Sequence, residues 1–93
     1  MIKTHACPIC SAEVNHFERY PRQVCGDCAS RAVDENGRPL LFGNASLSGG
    51  FVAIYADTLE NYGSHTCYID GIKCYADEFR FGGIVIEAVP DDL

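Results

Sequence analysis

Four cysteines near the N-terminus form two Cys-x-x-Cys pairs, Cys7 with Cys10 and Cys25 with Cys28. Residues 11–24 separate the two pairs. Thiolates at this spacing are typical of one tetrahedral Zn²⁺ site. Two disulfides, or an iron centre held by the same thiolates, are the alternatives. Because four protein ligands leave no position for water, the pattern indicates a structural ion rather than a catalytic one.

The size and composition of the chain favour a small globular protein. It has 93 residues, of which 47% are hydrophobic and 22% are charged. A chain of this length gains little from burial alone, so a metal cross-link is expected. No segment approaches the roughly 18 apolar residues that span a bilayer, and no apolar stretch of signal-peptide length opens the chain. We therefore expect a cytoplasmic protein without membrane contact, whose paired cysteines are metal ligands.

Charge is distributed unevenly along the chain, whose net charge is −6. Residues 1–38 are neutral in sum, whereas residues 39–93 carry eight acids against two bases. A field of this sign repels phosphates, so nucleic-acid binding would depend on Arg19, Tyr20 and Arg22. The acidic part is suited to a basic partner, although net charge also keeps a small protein soluble.

The second cysteine pair is predicted to begin a helix. Residues 29–35 contain good helix formers, and the first stop signal is Asn36-Gly37. Cys25 and Cys28 would then lie at the helix N-terminus, where the positive end of the helix favours thiolates. In the segment between the cysteine pairs, the residues expected to cover the site are Phe17, Tyr20 and Val24.

Residues 7–34 resemble a treble-clef or zinc-ribbon finger, with a Cys-x-x-Cys knuckle, a β arm and a second Cys-x-x-Cys at a helix start. The expected helix favours the treble clef, because a plain ribbon has a second hairpin at that place. The resemblance implies one structural zinc on Cys7, Cys10, Cys25 and Cys28. It implies no particular activity, since fingers of this class serve nucleic-acid binding, protein binding and nuclease scaffolds.

The remaining chain has the pattern of short strands. The fold class predicted is α+β, with a zinc finger of residues 1–36 packed on a small antiparallel β unit of residues 37–93. The strands are expected at residues 39–42, 51–56, 66–75 as a hairpin, and 82–89, followed by a polar tail of residues 90–93.

The hairpin of residues 66–75 is the clearest element of this part. Asp70-Gly71 between alternating apolar residues predicts a two-residue type I′ turn. The facing pairs are then Ile69 with Ile72, Tyr68 with Lys73, and Cys67 with Cys74. One face carries Cys67, Ile69, Ile72 and Cys74, and the other carries Tyr68, Lys73 and Tyr75.

Cys67 and Cys74 have three possible roles as cross-strand neighbours. Buried packing is favoured, because free cysteine is among the most buried residue types. A reversible thiol pair and a second metal site are the alternatives. The second site would need His65, two residues before Cys67 and predicted to share its face. His5 and His16, like His65, are expected to be surface residues or neighbours of ligands rather than catalytic groups.

The function predicted is a non-enzymatic protein-interaction or adaptor module with structural zinc. Its interface would be the acidic, tyrosine-bearing side of the sheet, with Tyr68, Tyr75, Asp77 and Glu78. The alternatives are a nucleic-acid-binding finger that uses Arg19, Tyr20 and Arg22, and a small redox or hydrolytic enzyme. No phosphate-binding glycine loop or nucleophile elbow supports the enzyme.

Overall fold

The structure is a computed structural model that describes residues 3–45, 50–79 and 83–90. These residues consist mostly of short antiparallel strands with little helix. In chain order the elements are β1 (Thr4–Ala6), β2 (Glu13–Asn15), α1 (Gly26–Ala29), β3 (Leu40–Gly43), β4 (Val52–Tyr55), β5 (Thr66–Ile69), β6 (Ile72–Glu78) and β7 (Ile84–Ala88). No helix in the described ranges is long and apolar enough to cross a membrane.

Within the residues that the structure describes, the strands form three antiparallel sheets. β1 pairs with β2, β3 pairs with β4, and β5, β6 and β7 form a three-stranded sheet with β6 in the centre. The predicted strands of the second part are confirmed at β3, β4 and β7, with small differences at their ends. Of the residues predicted there, Gly82 and residues 91–93 lie outside the described ranges.

The hairpin formed by β5 and β6 confirms the predicted register. Its facing pairs include Ile69 with Ile72, Tyr68 with Lys73, and Cys67 with Cys74. Asp70 and Gly71 have φ angles of 52° and 80°, as a type I′ turn requires. Cys67, Ile69 and Cys74 are fully buried, whereas Lys73 and Tyr75 are exposed. The alternation therefore separates a core face from an outer face as predicted.

Both outer strands of the three-stranded sheet are paired with the cysteine-rich segment. On β7, Ile86 O accepts the Val24 N–H at 2.9 Å and Ala88 N–H donates to Arg22 O at 3.1 Å. On β5, Tyr68 and Val33 exchange two backbone hydrogen bonds of 2.8 and 2.9 Å. The chain between these two contacts carries the second cysteine pair, which is thus held at both sides of the sheet.

One hydrophobic cluster joins the N-terminal part to the sheet. Its buried members are Cys7, Val14, Val24, Cys28, Ala32, Leu40, Cys67, Ile69, Cys74, Ala76, Ile86 and Ala88. The cluster includes residues from both sides of the predicted boundary at residue 37, and the boundary itself stays a prediction.

The long helix predicted after the second cysteine pair is wrong. Helix α1 ends at Ala29, and the chain turns so that Val33 can pair with Tyr68 and Pro39. Asp34, which is buried, accepts the N–H groups of Asn36 and Arg38 at 2.8 and 2.9 Å and stabilises the reversal. Strand pairing and this Asx turn override the helix propensity of the segment. The treble-clef type stays a prediction.

The turn of the hairpin gives a stability test. Gly71→Ala places a side chain on a residue with a φ of 80°. The new Cβ would meet no other atom, so the cost comes only from the strained backbone conformation. We expect the free energy of unfolding to fall by about 1–2 kcal/mol in urea titration. Gly43→Ala is the control, because Gly43 also has open space around a Cβ and has no positive φ. Equal unfolding midpoints for the two variants would contradict the type I′ assignment.

Candidate metal centre

The thiols of Cys7, Cys10, Cys25 and Cys28 converge on one point. Their four sulfur atoms all lie within 4.8 Å of one another. The Cys7 and Cys28 sulfurs are 3.9 Å apart, and the Cys10 and Cys25 sulfurs are 3.6 Å apart. A tetrahedral ion with metal–sulfur bonds of about 2.3 Å has sulfur–sulfur edges of about 3.8 Å, whereas a disulfide bond is about 2.05 Å long. The four free thiols therefore fit a metal ion and not two disulfides.

Local backbone geometry directs N–H groups at Cys7. Ser11, at a φ of 68°, donates its N–H to Cys7 O at 2.8 Å and so closes the first knuckle. The Cys7 sulfur accepts the N–H of Ile9 at 3.4 Å and that of Cys25 at 3.3 Å. Burial raises the pKa of Cys7, but backbone N–H groups, foremost that of Cys25, outweigh burial and lower this pKa to about 6. Cys7 is thus prepared as an anionic ligand.

The pKa of Cys28 is shifted in the opposite direction to that of Cys7. Burial, followed by the neighbouring thiols of Cys10 and Cys25, raises the pKa of Cys28 to about 12 against the lowering effect of Arg31. One thiolate in the cluster disfavours the next, because like charges repel. A divalent cation reverses this balance, since a coordinating thiol is deprotonated.

Arg31 is a contact that sequence analysis did not identify. Its Nη2 donates to the Cys28 sulfur at 3.2 Å. The spacing of three residues between Cys28 and Arg31 was the available indication in the sequence.

The four ligands differ in exposure. Cys7 and Cys28 are buried in the core, Cys25 is half-buried and Cys10 is exposed. The two buried ligands therefore fix the site against the core, and solvent reaches the site at Cys10.

Cys67 and Cys74 are brought together but not as metal ligands. Both have 0% exposure and pack in the same core as Cys7. Because Tyr68 directs its backbone groups outward to Val33, the pair of Cys67 and Cys74 is of the hydrogen-bonded type. In such pairs the Cβ atoms are about 5.5 Å apart, longer than the roughly 3.8 Å of a disulfide. This geometry favours packing over a reversible thiol pair.

The prediction that His65 shares the face of Cys67 is wrong. The alternation ends at Thr66, where β5 begins, and the His65 ring stacks on Phe51 at 4.1 Å and on Tyr75 at 5.0 Å. Its Nδ1 donates to Ala76 O at 2.6 Å. His65 thus belongs with Tyr75 on the outer face rather than with the thiols.

His5 and His16 form a pair beside the metal centre. Their Nδ1 atoms are 3.0 Å apart, and His5 Nε2 donates to Gln23 O at 2.9 Å. Because a carbonyl only accepts, His5 Nε2 carries a proton. In a neutral His5 ring, Nδ1 then accepts the hydrogen bond that His16 Nδ1 donates. The pair connects β1 and β2 to the strand-like segment that precedes Cys25.

Three of the four predicted interface residues lie on the outer face of the sheet. Tyr68, Tyr75 and Asp77 alternate with the buried cysteines and with Ala76, whereas Glu78 falls on the other face. Glu78 instead accepts the backbone N–H of Gly50. Tyr75 is 47% exposed and Tyr68 is half-buried.

The residues of the nucleic-acid alternative are mostly engaged within the protein. Tyr20 is only 8% exposed, and its ring centroid lies 5.0 Å from that of Phe79. Arg22 Nε donates to Ala88 O at 3.0 Å. Arg19 is exposed. Of the three residues expected to cover the site, only Val24 joins the core around Cys7, because the Phe17 and Tyr20 rings pack on Phe79.

Comparisons of the chain with protein-family models, with curated proteins and with solved structures give no match.

The burial of Cys67 and Cys74 predicts that their thiols are unreactive in the folded protein. At pH 8 the thiols of Cys67 and Cys74, with pKa values raised by burial to about 12 and about 11, should not react with iodoacetamide in the folded protein. The thiolate fraction is on the order of one in a thousand or less. Peptide mapping by mass spectrometry should show both residues labelled only after denaturation. Rapid labelling of either residue in the folded protein would contradict the burial.

Proposed function

We propose that the protein binds one Zn²⁺ ion through Cys7, Cys10, Cys25 and Cys28, and that this ion is structural. The proposal rests on the convergence of four sulfurs at edges close to those of a tetrahedron. Four thiolates complete the coordination of Zn²⁺, so no position is left for a reacting water. Zinc suits this site better than iron as a cross-link, because zinc has no redox chemistry and the Cys10 ligand is exposed to solvent.

We propose further that the zinc-stabilised sheet is a protein-binding module without catalytic activity. The observation that carries this proposal is the position of Tyr75. Its ring ends a stack of four rings, called here the aromatic stack: Phe42, Phe51, His65 and Tyr75. Half of the ring remains exposed while the other side is supported, which is the arrangement of a rigid interface anchor.

The charges around Tyr75 suit a polar interface. Asp77 lies two residues further along the same face, and Glu87 faces Tyr75 on β7. Arg22 and Glu87, which carry opposite charges, line a cavity of about 410 Å³ together with Tyr75 and Pro90. An aromatic centre with a charged rim is typical of protein interfaces.

The alternative functions have less support from the geometry. A base-stacking platform requires exposed aromatic rings with interleaved cations, and Tyr20 is buried. A redox enzyme requires an accessible thiolate, and Cys67 and Cys74 are fully buried.

The metal proposal is tested by elemental analysis and native mass spectrometry of three proteins. Wild type and Cys67→Ala should each carry one zinc per chain, because Cys67 lies outside the sulfur cluster. Cys10→Ser should lose the ion and the cooperative thermal transition, since structural zinc binding is coupled to folding. Full zinc content in Cys10→Ser, or iron in the wild type, would contradict the proposal.

The interface proposal is tested by affinity capture from host lysate with quantitative mass spectrometry. A partner retained by wild type should be lost with Tyr75→Ala and with Asp77→Lys, at a cost of about 2 kcal/mol or more for an aromatic anchor. Leu59→Ala is the control, because Leu59 is also exposed and apolar but lies on the turn after β4. If Tyr75→Ala and Leu59→Ala retain the partner equally well, the outer face is not the binding surface.

A further inference from the structure

One guanidinium group connects the sulfur cluster to the tip of the hairpin. Arg31 Nη2 donates to the Cys28 sulfur at 3.2 Å, and Arg31 Nη1 donates to Asp70 Oδ1 at 2.6 Å. Because the guanidinium is planar and rigid, two contacts through its two terminal nitrogens determine its orientation. Asp70 therefore holds the group that contacts Cys28.

The contact has a chemical consequence for a bound metal. Four thiolates around a divalent cation carry a net charge of −2, and the sulfur of Cys28 is buried on the sheet side of the site. A hydrogen bond from a charged donor is stronger than a neutral one, so it stabilises negative charge on the Cys28 sulfur and holds that sulfur in its place in the cluster. A ligand sulfur that is held in place in this way is less free to leave its metal.

We propose that Arg31 is a positioning residue of the metal centre, which retains Cys28 as a ligand and is itself oriented by Asp70 at the hairpin tip. This inference rests on the proposed metal ion at the four cysteines. It adds that the Arg31 contact slows the release of that ion. The Arg31 and Asp70 side chains are 49% and 50% exposed, so groups that bind at the tip can reach this ion pair.

A second ion pair of the chain provides a matched control. Arg38 Nη2 lies 3.1 Å from Asp57 Oδ1, with side-chain exposures of 40% and 53%. The Arg38 guanidinium contacts Asp57 and the Tyr55 ring rather than a cysteine. Substitutions in this pair remove the same charges without touching a metal ligand.

The experiment compares Arg31→Ala, Arg31→Lys and Asp70→Asn with Arg38→Ala and Asp57→Asn. Zinc release is followed with a chromogenic chelator, and the sulfur-to-metal charge-transfer band is recorded after loading with Co²⁺. Asp70→Asn is the variant that should disturb folding least, because Asn-Gly is a preferred type I′ turn.

Arg31→Ala should release zinc about tenfold faster than wild type, as expected for loss of one hydrogen bond to a charged group. Its charge-transfer band should move to longer wavelength, because the sulfur lone pair loses a stabilising donor. Arg31→Lys should restore part of the wild-type rate, and Asp70→Asn should be faster than Asp57→Asn. The control variants should remain within about twofold of wild type.

Release rates and bands of the Arg31 and Asp70 variants equal to those of the control variants would overturn the role of Arg31, while leaving the metal site in place. Failure of the wild-type protein to take up Zn²⁺ or Co²⁺ would overturn the proposed metal centre and this inference together. The two proposals therefore fail by different observations.

Discussion

The structure depends on one constraint, which is that four sulfur atoms from two distant chain segments must meet within 4.8 Å. The segment that carries Cys25 and Cys28 is bonded to β7 through Val24 and to β5 through Val33. An ion that holds this segment therefore also holds both outer strands of the three-stranded sheet. This coupling explains how a short chain with a small core can keep a sheet whose edge strands would otherwise be exposed.

In the proposed function, the same sheet divides its two faces between stability and recognition. On the inner face, Cys67 and Cys74 fill the core beside the sulfur cluster without contributing ligands. On the outer face, the aromatic stack supports a half-exposed Tyr75. Because alternate residues of one strand serve the two faces, a metal ion at the four cysteines would also orient the outer surface. Recognition would then depend on zinc through the rigidity of β6 rather than through direct contact.

Local patterns predicted the convergence of the four cysteines and the hairpin, because cysteine spacing and the Asp70-Gly71 turn are determined by neighbouring residues. The helix beyond Ala29 was wrong for the opposite reason. Val33 pairs with Tyr68, a contact between residues far apart in the chain, and propensity contains no information about it. His65 shows the same limit, since its stacking on Phe51 arises only when separate elements pack. The contact of Arg31 with the Cys28 sulfur is local, because only three residues separate the two, and it was missed although the spacing was visible in the sequence.

The most direct test is amide hydrogen exchange of Val24 and Val33 before and after removal of the metal with a chelator. These two N–H groups donate to Ile86 O and Tyr68 O at the two sides of the sheet. If the metal holds both edges, its removal should raise both exchange rates together by about a hundredfold or more, as local opening becomes easier. Unchanged protection of both amides after complete loss of the metal would contradict the account, because the sheet edges would then be stable without the sulfur cluster.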